Sequence, residues 1–148
     1  MHTYFFDGEL KGVIILNEGE SNHAIKVMRS KLGQKVTVIN GAGSIGVGEV
    51  VVNHPKKCEI LIDFTDFYEF KGPQITIAIA PTKSNDRIEF FVEKATEIGV
   101  FKIVPLLCKN NERDKVKIER WEKVALSATK QSKRAWVPQI NQPIALSQ

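Results

Sequence analysis

A small β-barrel followed by a parallel α/β segment is the fold class that this sequence predicts, and three observations carry it. Up to about Phe70 the chain reads as short β-branched and aromatic runs separated by glycine-bearing turns, the pattern of a many-stranded sheet closing into a barrel. Lys71-Gly72-Pro73 then reads as a linker. After it the pattern changes to strand, helix, strand, helix, which implies a parallel sheet.

Strands are expected at Tyr4-Phe5-Phe6, Gly12 to Leu16, Val36 to Ile39, Gly46 to Val52 and Glu59 to Phe67. One segment breaks that rhythm. Ser21 to Leu32 carries Ala24, Ile25, Val27, Met28 and Leu32 at helical spacing, with Ser21 or Asn22 as cap and Gly33 as terminator. In "VTVINGAGSIGVGEVVV" the glycines Gly41, Gly43 and Gly46 match G-x-G-x-x-G, and Asp63 follows at about the distance of a ribose-binding acid. A pyrophosphate site needs a helix to open at those glycines. Val47 to Val52 reads as a strand instead, so a hairpin or bulged loop is expected, and a dinucleotide-dependent oxidoreductase is the remote reading.

In the second half, strands are expected at Gln74 to Ala80 and Phe101 to Leu107. A helix is expected over Asn85 to Ile98, where Ile88, Phe91, Val92, Ala95 and Ile98 share a face, Ser84 or Asn85 caps it and Gly99 ends it. Lys117 to Ser132 repeats the pattern with Ile118, Trp121, Val124, Ala125 and Ala128, and Pro138 closes the loop beyond.

The 148 residues, 43% apolar, suffice for one good core or two small ones. Twenty-one Lys and Arg against seventeen Asp and Glu give a net charge of +4, a mild lean toward acidic partners such as nucleic acid. Cys58 and Cys108 sit far apart in apolar runs and read as reduced residues of a cytoplasmic protein. His2, His23 and His54 have no neighbours at ligand spacing, so no metal is expected. The N-terminus has no basic region leading into an apolar stretch, and no apolar run approaches the roughly 20 residues that span a bilayer. Neither export nor membrane insertion is expected.

Three places carry more charge than packing requires. On the short helix, His23, Lys26, Arg29, Ser30 and Lys31 cluster, and Lys26 and Arg29, three apart, are expected to point the same way toward phosphate. A solvated helix face is the plain alternative. Lys83 and Arg87 flank a strand-to-helix junction where ligands of α/β sheets gather, and Glu97, an acid in the last turn of that helix, is expected to pair with a cation of the neighbouring helix. In Lys130-Gln131-Ser132-Lys133-Arg134-Ala135-Trp136 the helix dipole explains the lysines, whereas Arg134 can grip phosphate and Trp136 can stack on a base. A nucleophilic triad, a paired catalytic acid and a P-loop are not found, which excludes the usual hydrolase mechanisms.

The succession "NHAIKVMRSKLGQ", "EKATEIGVFKIVPL" and "RWEKVALSATKQSKRAWVP" resembles the RsmE-type small-subunit ribosomal RNA uridine-N3 methyltransferases, in order and spacing along nearly the whole chain. The resemblance implies a PUA-like RNA-binding barrel over residues 1–70. It implies the first part of a SPOUT-type methyltransferase domain over 71–148, S-adenosylmethionine as cofactor, small-subunit ribosomal RNA or the assembled subunit as partner, and a homodimer. It makes His23, Lys26, Arg29, Lys83, Arg87, Lys130, Gln131, Ser132, Lys133 and Trp136 candidate RNA contacts and Arg134 the candidate catalytic residue, stabilising a uracil anion. The glycine-rich G-P-E-G-G and the later L-G-x-R-x-L-R-x-E-T stretches that build the family's knotted cofactor pocket do not occur here. The chain therefore reads as the N-terminal part of such an enzyme, inactive by itself. An unpaired sheet edge at Phe101 to Leu107 or Gln74 to Ala80 is expected with it, promoting self-association or disorder after about Pro138. A non-catalytic RNA-binding module is the alternative.

Overall fold

The computed structural model describes residues 1–108 and 116–146, and the chain divides into two compact units, Met1–Phe70 and Lys71–Gln148. The first is a curled five-stranded sheet in the order β1-β3-β4-β5-β2, built from β1 (Thr3–Phe5), β2 (Val13–Ile15), β3 (Lys35–Ile39), β4 (Ser44–Val52) and β5 (Glu59–Phe67). β1 runs parallel to β3 and the other pairs are antiparallel. Alternation sends Tyr4, Ile14, Val36, Val38, Val50 and Ile60 to one side, where they bury together with Leu10, Leu16, Ala24, Cys58 and Ile62. Burial pushes the Tyr4 phenol and the Cys58 thiol up, so both stay protonated at neutral pH.

The glycine motif is a hairpin. Gly41 (φ 71°) and Gly43 (φ 102°) take the left-handed conformations of the β3–β4 turn, and the Asn40 Oδ1 accepts hydrogen bonds from the Ala42 and Ser44 amides at 2.9 and 3.0 Å. β4 follows directly, so no helix N-terminus is present to hold a pyrophosphate. Asp63 instead shares Lys35 with Glu49 across the sheet, at 2.9 and 3.0 Å. It falls where the pairing jumps from Val47↔Phe64 to Gly48↔Ile62, and so occupies a bulge.

The helix expected over Ser21 to Leu32 differs in both limits and type. It starts at α1 (Glu18–Asn22), capped by Asn17, whose Oδ1 accepts from the Glu20 amide at 2.8 Å. It widens into a π-helical turn over His23–Val27 and ends at Met28, with Arg29 in the left-handed conformation at φ 54°. Ser30, Lys31 and Leu32 therefore lie beyond the helix. Lys26 lies in the π-helical turn and Arg29 past it in the left-handed conformation, so α-helical spacing does not relate them, though both are exposed.

In the second unit, β6 (Thr76–Ile79), α2 (Asn85–Ile98), β7 (Lys102–Leu107) and α3 (Ile118–Ser132) alternate, then β8 (Gln139–Ile140) and β9 (Ile144–Ala145) both pair with β7. All these pairs are parallel. Ser84 caps α2, Gly99 closes it at φ 92°, and Ile88, Val92, Ala95, Val100, Ile103, Trp121 and Ala125 form the core. Val116, the first described residue before α3, packs against that core.

Of the two places expected for a sheet edge, Gln74 to Ala80 is one and Phe101 to Leu107 is not: β7 has β6 on one side and β8 with β9 on the other, which leaves β6 as one of the two outer positions of the described sheet. After Pro138 the chain returns to the sheet as β8 and β9, where disorder was one of the expected outcomes. Three residues lie between Ile140 and Ile144 where two lie between their partners Ile103 and Leu106, so the chain bulges by one residue at Asn141 to Pro143 as it passes from β8 to β9. The carbonyls of Phe101, Ile103 and Leu107 accept from Gln139, Asn141 and Leu146. Alternation turns Pro105 to the same side, and the bulge lies where Pro105 offers no N–H.

Candidate nucleic-acid interface

In the barrel unit the helical segment is tied to the core from its inner side. The Ser21 hydroxyl donates to the Leu16 carbonyl and accepts from the Cys58 amide, each at 3.0 Å, and the Tyr4 and Ser30 hydroxyls hydrogen-bond at 2.7 Å. Buried polar atoms are satisfied this way, and the outer side is left to Lys26, Arg29 and Lys31, all exposed. His23 is placed differently from its neighbours. It is half-buried, its ring stands edge-on to Tyr4 with centroids 6.3 Å apart, and its Nδ1 is buried without a hydrogen-bond partner.

The second unit carries two basic groups, and the helices keep them apart. Arg120 at the start of α3 grips Glu89 near the start of α2, Nε on Oε1 and Nη2 on Oε2 at 3.1 Å. Arg134, just past α3, donates from Nε to the Glu97 carbonyl at the end of α2, at 2.7 Å. The two helices thus run parallel. Lys83 and Arg87 lie at their N-terminal ends, whereas Lys130, Gln131, Ser132, Lys133, Arg134 and Trp136 lie at their C-terminal ends. A 14-residue helix is about 20 Å long, so the two groups do not meet on one nucleotide within this unit. Lys117 and Arg120, not singled out from the sequence, join Lys83 and Arg87 instead, because parallel packing brings the two helix starts together.

Between those starts lies a shallow hollow lined by Pro81, Thr82, Asn85, Ile88, Glu89 and Trp121, among others. It is partly open to solvent and deep enough for roughly one water molecule. Hydrogen bonding to Arg120 holds the Glu89 carboxyl below the ordinary glutamate range, and Arg120 is matched by it.

At the other end, Arg134 caps α2. Its guanidinium lies over Gly99, where an added Cβ would come within 2.7 Å of Nη1. Glu97 does not pair with the neighbouring helix as expected: its carboxylate meets Lys94 of its own helix at 2.9 Å, and the cation from the end of α3 takes its backbone carbonyl. The Ser132 hydroxyl donates back to the Ala128 carbonyl at 2.7 Å, Lys133 closes α3 in the left-handed conformation at φ 55°, Gln131 is exposed and Trp136 half-buried. Among the described residues no group of three or more His, Cys, Asp or Glu is placed to hold a metal, and no helix is long and apolar enough to cross a membrane.

The two units match two family descriptions in chain order: an RNA methyltransferase PUA domain over residues 16–63 and an RNA methyltransferase domain over 70–148. A protein of Aquifex aeolicus named ribosomal RNA small subunit methyltransferase E is 30% identical over 99% of this chain and 65% of its own length. A Mesomycoplasma hyopneumoniae protein of the same name is 31% identical over 97% of this chain and 63% of its length. The crystal structure of the Neisseria gonorrhoeae ribosomal RNA small subunit methyltransferase E bound to S-adenosyl methionine superposes with a TM-score of 0.84 at 25% identity, covering 98% of this chain and 62% of that one. The chain thus spans about three-fifths of the length of these relatives. With a PUA unit and an RNA methyltransferase unit in the same order as in those proteins, and identity running through both, this chain belongs to the RsmE family of RNA methyltransferases.

Proposed function

We propose that this chain is the RNA-holding portion of a SPOUT-type, S-adenosylmethionine-dependent enzyme that methylates N3 of a uridine in small-subunit ribosomal RNA, as a cytoplasmic homodimer. The observation that supports it most is the pairing of a PUA unit bearing an exposed basic segment with an RNA methyltransferase unit. S-adenosylmethionine would supply the methyl group. The hollow at the helix starts does not fit that cofactor, since it has room for about one water.

The chain's own residues hold RNA. Lys26, Arg29, Lys83, Arg87, Lys130 and Lys133 take phosphates, Gln131 and Ser132 orient a base, and Trp136 stacks on one. His23, with its Nδ1 turned inward, offers RNA only the remainder of its ring. The proton on uridine N3 must leave before methylation, and a nearby cation favours the resulting anion. Arg134 has that role in this reading, through the guanidinium N–H groups that the Glu97 carbonyl does not use. It meets Lys83 and Arg87 on one RNA only across a span of about 20 Å.

Titration of the chain with a labelled small-subunit ribosomal RNA fragment tests the reading. Binding that weakens steeply from low to physiological salt is expected, and salt-independent or undetectable binding would overturn it. Calorimetry with S-adenosylmethionine is expected to show no saturable micromolar binding by residues 1–148, and these residues alone are expected not to methylate RNA. Saturable binding would place the cofactor pocket in this part of the enzyme.

A further inference from the structure

We propose that the β4–β5 turn of the barrel unit, through His54 and Lys56, joins Arg29 and Lys31 in one rim that binds the phosphate backbone of RNA. The inference rests on the RNA-binding reading and adds a second chain segment to it. Arg29 and Asn53 are far apart in sequence, but the fold welds their surroundings together. The Gly33 amide donates to the Val50 carbonyl at 2.9 Å and the Val50 amide to the Gln34 carbonyl at 3.1 Å, which lays the segment after the helix along the end of β4. The Asn53 side-chain amide then donates to the Ser30 carbonyl at 2.7 Å. Ser30 is itself anchored in the core by Tyr4. On the far side of the turn, the Cys58 amide is held by the Ser21 hydroxyl of α1.

Both segments are thus fixed at the same end of the barrel, with Arg29, Lys31, His54 and Lys56 all exposed there. Cations positioned in advance lose less freedom on meeting a phosphate than cations on a loose loop. Arg29 holds a left-handed conformation that side chains other than glycine rarely adopt, and Ser30 keeps it so. In the turn, the His54 Nδ1 accepts from the Lys56 amide at 3.2 Å, so the neutral ring carries its proton on Nε2, a donor for a phosphate oxygen. Carboxylates on the adjoining strands are already matched: Glu49 by Lys35 at 3.0 Å and Glu59 by Lys57 at 2.8 Å. Lys57 is therefore left out of the rim.

The test is salt-dependent binding of the whole chain to a small-subunit ribosomal RNA hairpin, with variants on both segments. Lys56→Ala and Arg29→Ala are each expected to weaken binding about fivefold or more at low salt and to lower the slope of log affinity on log salt by about one. Lys56→Arg should restore both. Asn53→Ala removes the tether without removing charge and should weaken binding while leaving the slope nearly unchanged. Lys11→Ala, on a lysine already paired with Glu9, is the surface control and should bind as the parent does. Circular dichroism establishes that each variant is folded. If Lys56→Ala and His54→Ala bind like the parent while Lys83→Ala or Lys133→Ala weakens binding, the rim is wrong and the RNA reading stands. If the parent chain shows no salt-sensitive binding to the hairpin, the RNA reading falls and the rim with it.

Discussion

The barrel unit and the α/β unit handle their cations in opposite ways. In the barrel, residues 23 apart in sequence, Ser30 and Asn53, are joined by a hydrogen bond, and two basic segments converge. In the α/β unit, basic groups attached to the same pair of helices are held about 20 Å apart, one at the helix starts and one at the helix ends. The difference lies in the secondary structure. A curled antiparallel sheet returns the chain to the same rim at each hairpin, whereas each β-α-β crossover carries it the length of the sheet before turning. Nearby charges in a sequence are therefore a guide to a shared surface only when the connecting element is short.

The largest expected effect tests whether the α/β unit depends on a single packed indole. Trp121 is 3% exposed at the centre of its core, and Trp121→Ala is expected to cost about 3–5 kcal/mol in urea unfolding of that unit. Both tryptophans, Trp121 and Trp136, lie in the α/β unit, so in the parent the change in indole fluorescence follows that unit alone. The barrel counterpart is Gly48, where an added Cβ would lie 2.5 Å from the Leu61 carbonyl oxygen. Gly48→Ala is expected to destabilise the barrel by about 1–3 kcal/mol, read by amide hydrogen exchange in β4 and β5. An unchanged exchange pattern would mean that the sheet relaxes there at no cost.

Arg134 and Arg29 sharpen the comparison further, since both follow a helix and only one caps another element. Arg134→Ala removes the bond to the Glu97 carbonyl and is expected to cost about 1–2 kcal/mol, with faster exchange in the last turn of α2. A variant of undiminished stability would return Arg134 to a purely functional role. Arg29→Gly should do the reverse, raising stability by about 1 kcal/mol through relief of the left-handed conformation while weakening RNA binding. The smallest effect concerns pH. The Glu89 pKa is lowered in the fold by Arg120, so the pair's contribution is complete above the ordinary glutamate pKa of 4.5 and is lost as the pH falls through the depressed value. Glu89→Gln should flatten that part of the acid stability profile, and a profile unchanged from the parent would show that the pair contributes nothing.

Periodicity made some elements legible to the residue. The limits of β5 and α2 are those that the apolar spacing, Ser84 and Gly99 imply, because each rests on local signals: alternation of two, a face of 3.6, a cap and a left-handed stop. The limits of the short helix are not legible in the sequence, because a π-helical turn has no signature comparable to a cap and because the left-handed residue that follows it is Arg29 rather than a glycine. β8 and β9 are not legible in the sequence because strands of two residues carry no period at all.

By itself the sequence determined which strand residues turn inward, though not that Val27, Leu32 and Ile98 of the expected helix faces stay exposed, and that the glycine run lies between two strands. Those properties follow from near-neighbour spacing and backbone preference, which act within a few residues. The tertiary structure alone decided that Arg134 spends a donor on a helix end and that Lys83 and Arg134 stand apart. It alone set the turn of His54 and Lys56 beside Arg29. A side chain's partner depends on which distant segment the packed core brings to it, and a part-buried carbonyl such as that of Glu97 or Ser30 accepts a donor from whichever one arrives.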